Sequence, residues 1–194
     1  MFSGIRGRTK TWLTAGAGTI AAVSIAGLLG AFGALPNPPI PESTAGSPIE
    51  TGQWRAVPLK AYVGGKDIYP PLKDGQKALV LEVEMTNRTH ESSDDCLSVF
   101  RPHIPLERDE IAPTLILMRD PQRLDRLHPG MTERIAYLWT LPAAKPVPDQ
   151  LKFTVTTKTY KPMDNLKGKP GWFNEQPLVE VTLPVKEASP GTPS

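Results

Sequence analysis

Lys77-Ala-Leu-Val-Leu-Glu-Val-Glu-Met-Thr-Asn87-Arg-Thr89 is the stretch on which the fold is read. Leu79, Leu81, Val83 and Met85 alternate with Val80, Glu82, Glu84 and Thr86. Successive side chains of a strand point to opposite faces, so this spacing predicts a strand with one face on a core and the other toward water. Asn87-Arg88-Thr89 breaks the pattern. Leu151, Phe153 and Val155 alternate with Lys152, Thr154 and Thr156 in the same way, and Ile135, Tyr137 and Trp139 form a third run behind Glu133 and Arg134. Weaker strands are expected at 54–63, 98–100, 114–118 and 179–183. Prolines at Pro58, Pro70, Pro71, Pro102, Pro105, Pro113, Pro142, Pro146 and Pro148 exclude long helices and mark strand ends. The helical candidate inside the domain is a turn over 120–127, entered through Pro121. About seven short strands separated by Gly/Pro/Asp turns predict a mainly β fold, an antiparallel immunoglobulin-like β sandwich.

Upstream, residues 1–10 carry Arg6, Arg8 and Lys10 without an acid, and residues 11–35 then run without a charge; the next charged residue is Glu42. About 20 apolar helical residues cross the ~30 Å hydrocarbon layer. The run therefore predicts one transmembrane α-helix, a signal anchor. Basic residues ahead of it hold the N-terminus in the cytoplasm and place everything after Pro36 outside, as a single-pass protein of the cell membrane. A cleaved signal ending at Ala31 or Gly33 is the alternative, and it exports the domain equally. No cysteine stands directly after the run, so a lipid-modified N-terminus is not expected. Thr14, Gly18, Ala22, Ala26, Gly30 and Ala34 recur every four positions. Such small residues allow close helix approach, and Gly18, Ala22, Ala26 and Gly30 become candidates for a homodimer face. A segment so rich in Gly, Ala, Ser and Thr also produces that register without selection for it.

Residues 36–51 read as a proline-rich linker, extended and solvated, able to hold the domain about 30–40 Å from the bilayer. The expected domain covers 52–185, a size sufficient for one core, and 186–194 reads as a disordered tail. Removing the three N-terminal basic residues leaves 19 basic against 20 acidic residues, so the exported part is near neutral and nucleic acid is excluded as an expected partner.

The Lys77–Thr89 run, with Asp74-Gly75 ahead of it, resembles the strand and "TN-polar" ending of immunoglobulin-like, DUF4352-type bacterial envelope domains. Leu127-His-Pro-Gly-Met-Thr-Glu-Arg134, leading into Ile135-Ala-Tyr-Leu-Trp139, is similar to the turn that opens that group's next edge strand. The Ala/Gly-rich anchor and proline linker look like uncharacterised single-pass proteins of high-GC Gram-positive bacteria. The chain departs from that pattern in having no lipobox cysteine and in its long 156–177 segment. The resemblance implies an envelope-facing sandwich on an anchor and brings no catalytic residues.

Chemistry finds few carriers. The sequence holds no G-x-S-x-G elbow, H-E-x-x-H, Walker loop or S-x-x-K pair. Cys96 is the single cysteine and follows Asp94 and Asp95, whose charges disfavour a thiolate; an inert thiol is expected. The loop His90-Glu-Ser-Ser-Asp-Asp-Cys96 offers Glu91, Asp94 and Asp95 as calcium ligands, or His90, Cys96 and His103 toward zinc. Neither spacing matches a known metal loop, and a solvated connection is the plainer reading. His90, His103 and His128 sit in turn-like surroundings and are expected at the surface. Asn87-Arg88-Thr89 is also a glycosylation sequon.

Residues 157–176 read as a long Gly/Pro-interrupted connection. Tyr160, Lys167, Lys169, Trp172 and Phe173 there are partner-binding candidates, since Trp and Tyr anchor interfaces and lysines suit an anionic surface. The competing reading is that Trp172 and Phe173 pin the loop to the core. The expected function is a non-enzymatic accessory or interaction module at the membrane, without a cofactor, serving a membrane or envelope protein. An exported domain binding calcium or a wall polymer is the alternative, and a hydrolase of unfamiliar type the third reading.

Overall fold

Among the described residues ten strands follow one another: β1 (Glu42–Ser43), β2 (Ile49–Glu50), β3 (Trp54–Gly64), β4 (Gln76–Asn87), β5 (Phe100–Pro102), β6 (Thr114–Leu117), β7 (Gln122–Arg123), β8 (Thr132–Pro142), β9 (Gln150–Lys161) and β10 (Gly171–Glu187). The computed structural model describes residues 38–65, 68–108, 110–166 and 168–187. The expected transmembrane helix with Gly18, Ala22, Ala26 and Gly30, residues 188–194 and Lys167 lie outside them. Among the described residues no helix is long and apolar enough to cross a membrane.

Hydrogen bonding runs β5-β9-β10-β3-β4-β8-β6-β7, with β1 on β10 and β2 on β3. Two layers arise because β10 changes sheet. Up to Pro184 it pairs antiparallel with β9; Val185–Glu187 then lie parallel to Ala61–Val63 of β3. Side chains from both layers meet in one core. Trp139 of β8 and Phe153 of β9, both fully buried, lie 6.1 Å apart, and Phe100 of β5 meets Tyr137 of β8 edge-on at 5.2 Å. Edge and tilted contacts of this kind suit the aromatic quadrupole and add to area burial. The expected mainly β, sandwich-like architecture is observed.

Three expectations need correction. The turn at 120–127 is not helical: Gln122–Arg123 fold back on Ile116–Leu117 as β7, and Leu124 N–H donates to the Leu115 carbonyl. The described helix is instead one 3-10 turn, Asp95–Ser98, inside the acidic loop, so Ser98 is no strand residue. Prolines also do not only end strands. Pro58 lies within β3 and Pro177 within β10, each beside a register shift, where the missing N–H breaks no regular ladder.

The linker is the third. A compact unit begins at Ile40, so most of 36–51 belongs to the domain. Proline lacks a donor but keeps its acceptor, and the Pro41 carbonyl takes the Glu180 N–H at 2.8 Å. Lys152 Nζ then joins Glu42 at 3.2 Å and Glu180 at 2.7 Å, and Ile49 packs into the core at 6% exposure. A solvated spacer across 40–50 is thereby replaced by two short strands.

Candidate functional site

β4 was expected to be wet along one face, yet on that face only Glu84 is exposed, and Ala78, Val80 and Glu82 are buried. Leu79, Leu81, Val83 and Met85 face the main core, while Ala78 and Val80 on the opposite face join Ile116, Ala136 and Leu138 in a second, smaller core. Tyr62, Ile68, Leu72 and Met118 pack against it. This outer cluster places Glu82, 1% exposed, at the floor of a groove of about 690 Å³. The carboxylate accepts Arg134 Nε at 3.0 Å and Nη2 at 2.5 Å, and Lys60 Nζ lies at 3.1 Å. Burial, and then the charge and hydrogen bond of Glu82, push the Tyr62 hydroxyl up to about 12. Lys60 and Arg134 are more than half exposed, so their remaining donors face the groove mouth with Tyr69 and Arg119. A buried acid thus holds two cations at the rim; Arg119 beside them is committed to Glu133 at 3.1 Å and Asp120 at 3.3 Å, so the spare positive charge is that of Lys60 and Arg134 over Glu82.

Glu82 was missed because an acid in an alternating strand reads as the solvent face, as Glu84 two residues on does. The signal available was on its neighbours: Val80, Ile116, Ala136 and Leu138 are apolar at positions that ought to be wet.

The predicted acidic loop is built differently from a metal site. Asp95 is committed to Lys158 Nζ at 2.8 Å, and the backbone carbonyl of Glu91, not its carboxylate, is the group that the loop uses, accepting from Asn87 Nδ2. Asp94 precedes the 3-10 turn without a side-chain cap bond. Among the described residues no three His, Cys, Asp or Glu side chains stand together as a metal site would require. The histidines are dispersed: His103 Nε2 meets Thr154 Oγ1 at 2.6 Å and His128 Nδ1 meets Ser92 Oγ at 2.7 Å. Asn87 is fully buried with its amide engaged, which closes the sequon to a glycan.

Residues 157–176 form a hairpin and not an irregular connection. Gly171, Trp172 and Phe173 pair with Lys161, Tyr160 and Thr159. Tyr160, half exposed, lies 5.4 Å from Trp172, and Lys161 Nζ stands 5.6 Å over the Phe173 ring. Trp172 rests on Gly52, where a Cβ would come within 3.3 Å of the indole; the backbone there has φ +80°. Trp172 and Phe173 are half-buried on this ribbon and not in the main core, so they satisfy neither pure anchoring nor full exposure. Lys169 is exposed at the turn.

Cys96 is buried at 1% exposure, and burial followed by the charges of Asp94 and Asp95 pushes its thiol up to about 12. A folded-state pKa raised above the unfolded value supports the native state below the unfolded pKa, and that support disappears as pH rises through the folded one. Stability is therefore expected to fall from about pH 9 to 12, the range in which Cys96 and Tyr62 ionise in the unfolded chain while burial keeps them neutral in the folded one. Urea unfolding of wild type and Cys96→Ala across this range checks it. The variant should show a shallower decline below pH 10, and identical slopes would remove the thiol from the account.

No family model matches the chain and no curated protein matches it. Among solved structures, an uncharacterized β-sandwich protein from Clostridium difficile 630 is similar at a TM-score of 0.45 and 8% identity, over 77% of this chain and 99% of that one.

Proposed function

We propose that the chain is a non-enzymatic interaction module of the bacterial cell envelope. In this reading residues 11–35 anchor it, its N-terminus is cytoplasmic, and an immunoglobulin-like, DUF4352-type sandwich faces outward to engage a neighbouring membrane protein. The uncharged run behind Arg6, Arg8 and Lys10 supports the anchoring. The observation that carries the binding role is the groove over Glu82. Its wall is apolar and aromatic, with Tyr62, Tyr69, Ile116 and Met118, and its rim holds Lys60 and Arg134 in place through a buried counter-charge. Rigid aromatic anchors beside oriented guanidinium donors are what interfaces favour, and the charge fits an apolar segment ending in a carboxylate.

Full-length protein purified from native membranes in mild detergent should bring down a stoichiometric membrane partner. Tyr69→Ala, at a ring that is half exposed, should lower its recovery at least about ten-fold, the loss of one hot-spot side chain, without changing the melting temperature of the domain. A solitary wild-type protein, or a partner retained by the variant, would sink this reading.

A further inference from the structure

We propose that the tip of the β9–β10 hairpin is a second membrane contact, which seats Leu166 and Met163 in an anionic bilayer surface. Among the described residues, Leu166 at 96% and Met163 at 68% are the most exposed large apolar side chains, and Tyr160 at 51% belongs to the same hairpin. Exposed apolar side chains scattered singly need no explanation, but three within seven residues on one projecting turn do.

The ribbon is built to project. Val155 is the last β9 residue paired with β5, Thr156 N–H donates to the Val99 carbonyl, and Thr157 Oγ1 donates to the Thr51 carbonyl. Beyond Lys158 the described ladder consists of β9 and β10 alone. The turn is ordered from inside. Asp164, 8% exposed, takes the Leu166 N–H on its carboxylate at 3.1 Å. Its backbone carbonyl takes the Gly168 N–H at 2.7 Å, and its own N–H donates to the Lys169 carbonyl at 3.0 Å. Leu166 is held outward by these bonds at little further cost in order on binding.

Chemistry changes with depth along the ribbon. Apolar Met163 and Leu166 stand at the turn, and Lys161 and Lys169 flank them. Tyr160 and Trp172 follow one step back, braced on Gly52. Residues 160–173 hold three lysines (Lys161, Lys167, Lys169) against one acid, Asp164, and Lys161 Nζ lies 3.8 Å from its carboxylate. Apolar side chains at the tip, with lysines and amphipathic aromatics within a few residues behind them, match acyl chains bordered by an interfacial layer of anionic headgroups. The direction of the chain agrees, and here the inference rests on the anchored reading. β1 runs parallel to β10, so Ile40 and Pro41 lead back toward the end from which the hairpin projects.

The test uses the full chain reconstituted in vesicles. Because Cys96 is buried, Met163→Cys can carry an environment-sensitive fluorophore alone. In vesicles with about one-third phosphatidylglycerol, its emission should shift to the blue and be quenched by brominated lipid. Lys161→Gln with Lys169→Gln should lower the engaged-to-free ratio about 25-fold, near five-fold per lysine, and Leu166→Asp should lower it at least about ten-fold. A probe at Ala144→Cys, on the β8–β9 connection at the other end of β9, should remain in water. Water-like emission at position 163 in anionic vesicles would overturn the proposal, as would equal quenching in pure phosphatidylcholine or at position 144. A probe at Ala22→Cys reads the anchor separately, so a failed anchor and a failed tip give different results.

Discussion

Asn87→Asp should destabilise the domain by about 3–5 kcal/mol, roughly 10–15 °C in melting temperature, although it changes one atom of the side chain. Asn87 is completely buried at the end of β4. Its Nδ2 donates to the carbonyls of Glu91 and Leu127, each at 2.8 Å. Its Oδ1 accepts the Thr89 N–H at 2.9 Å and the Thr89 hydroxyl at 2.8 Å. One amide thus closes the loop after β4 and ties it to the segment before β8. A carboxylate keeps the two acceptor bonds but turns the donor side into an oxygen facing two carbonyl oxygens, in a site closed to water. Protonation would restore one donor, so the deficit relative to wild type should shrink on acidification. Denaturant unfolding of both proteins at neutral and acidic pH measures this. A deficit below about 1 kcal/mol, or one that is flat with pH, would show that water reaches the amide and that the four bonds are replaceable.

That residue also shows what a sequence of this kind discloses. The strand before Asn87 was readable because Leu79, Leu81, Val83 and Met85 share one face, and burial of one face is what alternation records. β8 and β9 were readable for the same reason through Ile135, Tyr137 and Trp139 and through Leu151, Phe153 and Val155. Alternation fails where both faces of a strand have the same solvent. The outer face of β4 is covered by a second core, so Val80 and Glu82 looked wet and are buried. The outer end of the β9–β10 ribbon is exposed on both faces, so Lys158–Lys161 and Gly171–Gln176 carried no period and read as a loop. β1 and β2 are two residues each, too short for any period, and are held by one proline carbonyl, Ile49 and Lys152. Pro121 read as the first residue of a helix, but long-range pairing with β6 decided the conformation there. The candidate sites divide along the same line. Tyr160, Trp172 and Lys169 were legible by residue type, whereas Glu82, Lys60 and Arg134 converge only through strand register.

Removing the cations around Glu82 should be harder on the domain than removing the acid with them. Glu82 lies opposite Lys60 of β3 and Ala136 of β8, and its side chain is 2% exposed. Lys60→Ala with Arg134→Ala leaves a buried carboxylate with the Tyr62 hydroxyl, and a loss of about 3 kcal/mol is expected. That figure is at the low end for a broken buried pair because both partners are over half exposed, so water can follow them out of the groove. Adding Glu82→Leu removes the uncompensated charge and extends the apolar patch of Val80, Ile116 and Ala136; the triple variant should return to within about 1 kcal/mol of wild type. Equal loss in double and triple variants would mean that the lysine and arginine stems act by covering the small core, not by neutralising Glu82. The restored triple variant then separates two roles. Its groove is folded but has lost its positive rim, so partner recovery from native membranes should fall while melting does not. Undiminished recovery would locate recognition away from Lys60 and Arg134 and leave the charge cluster as a device for closing β4 alone.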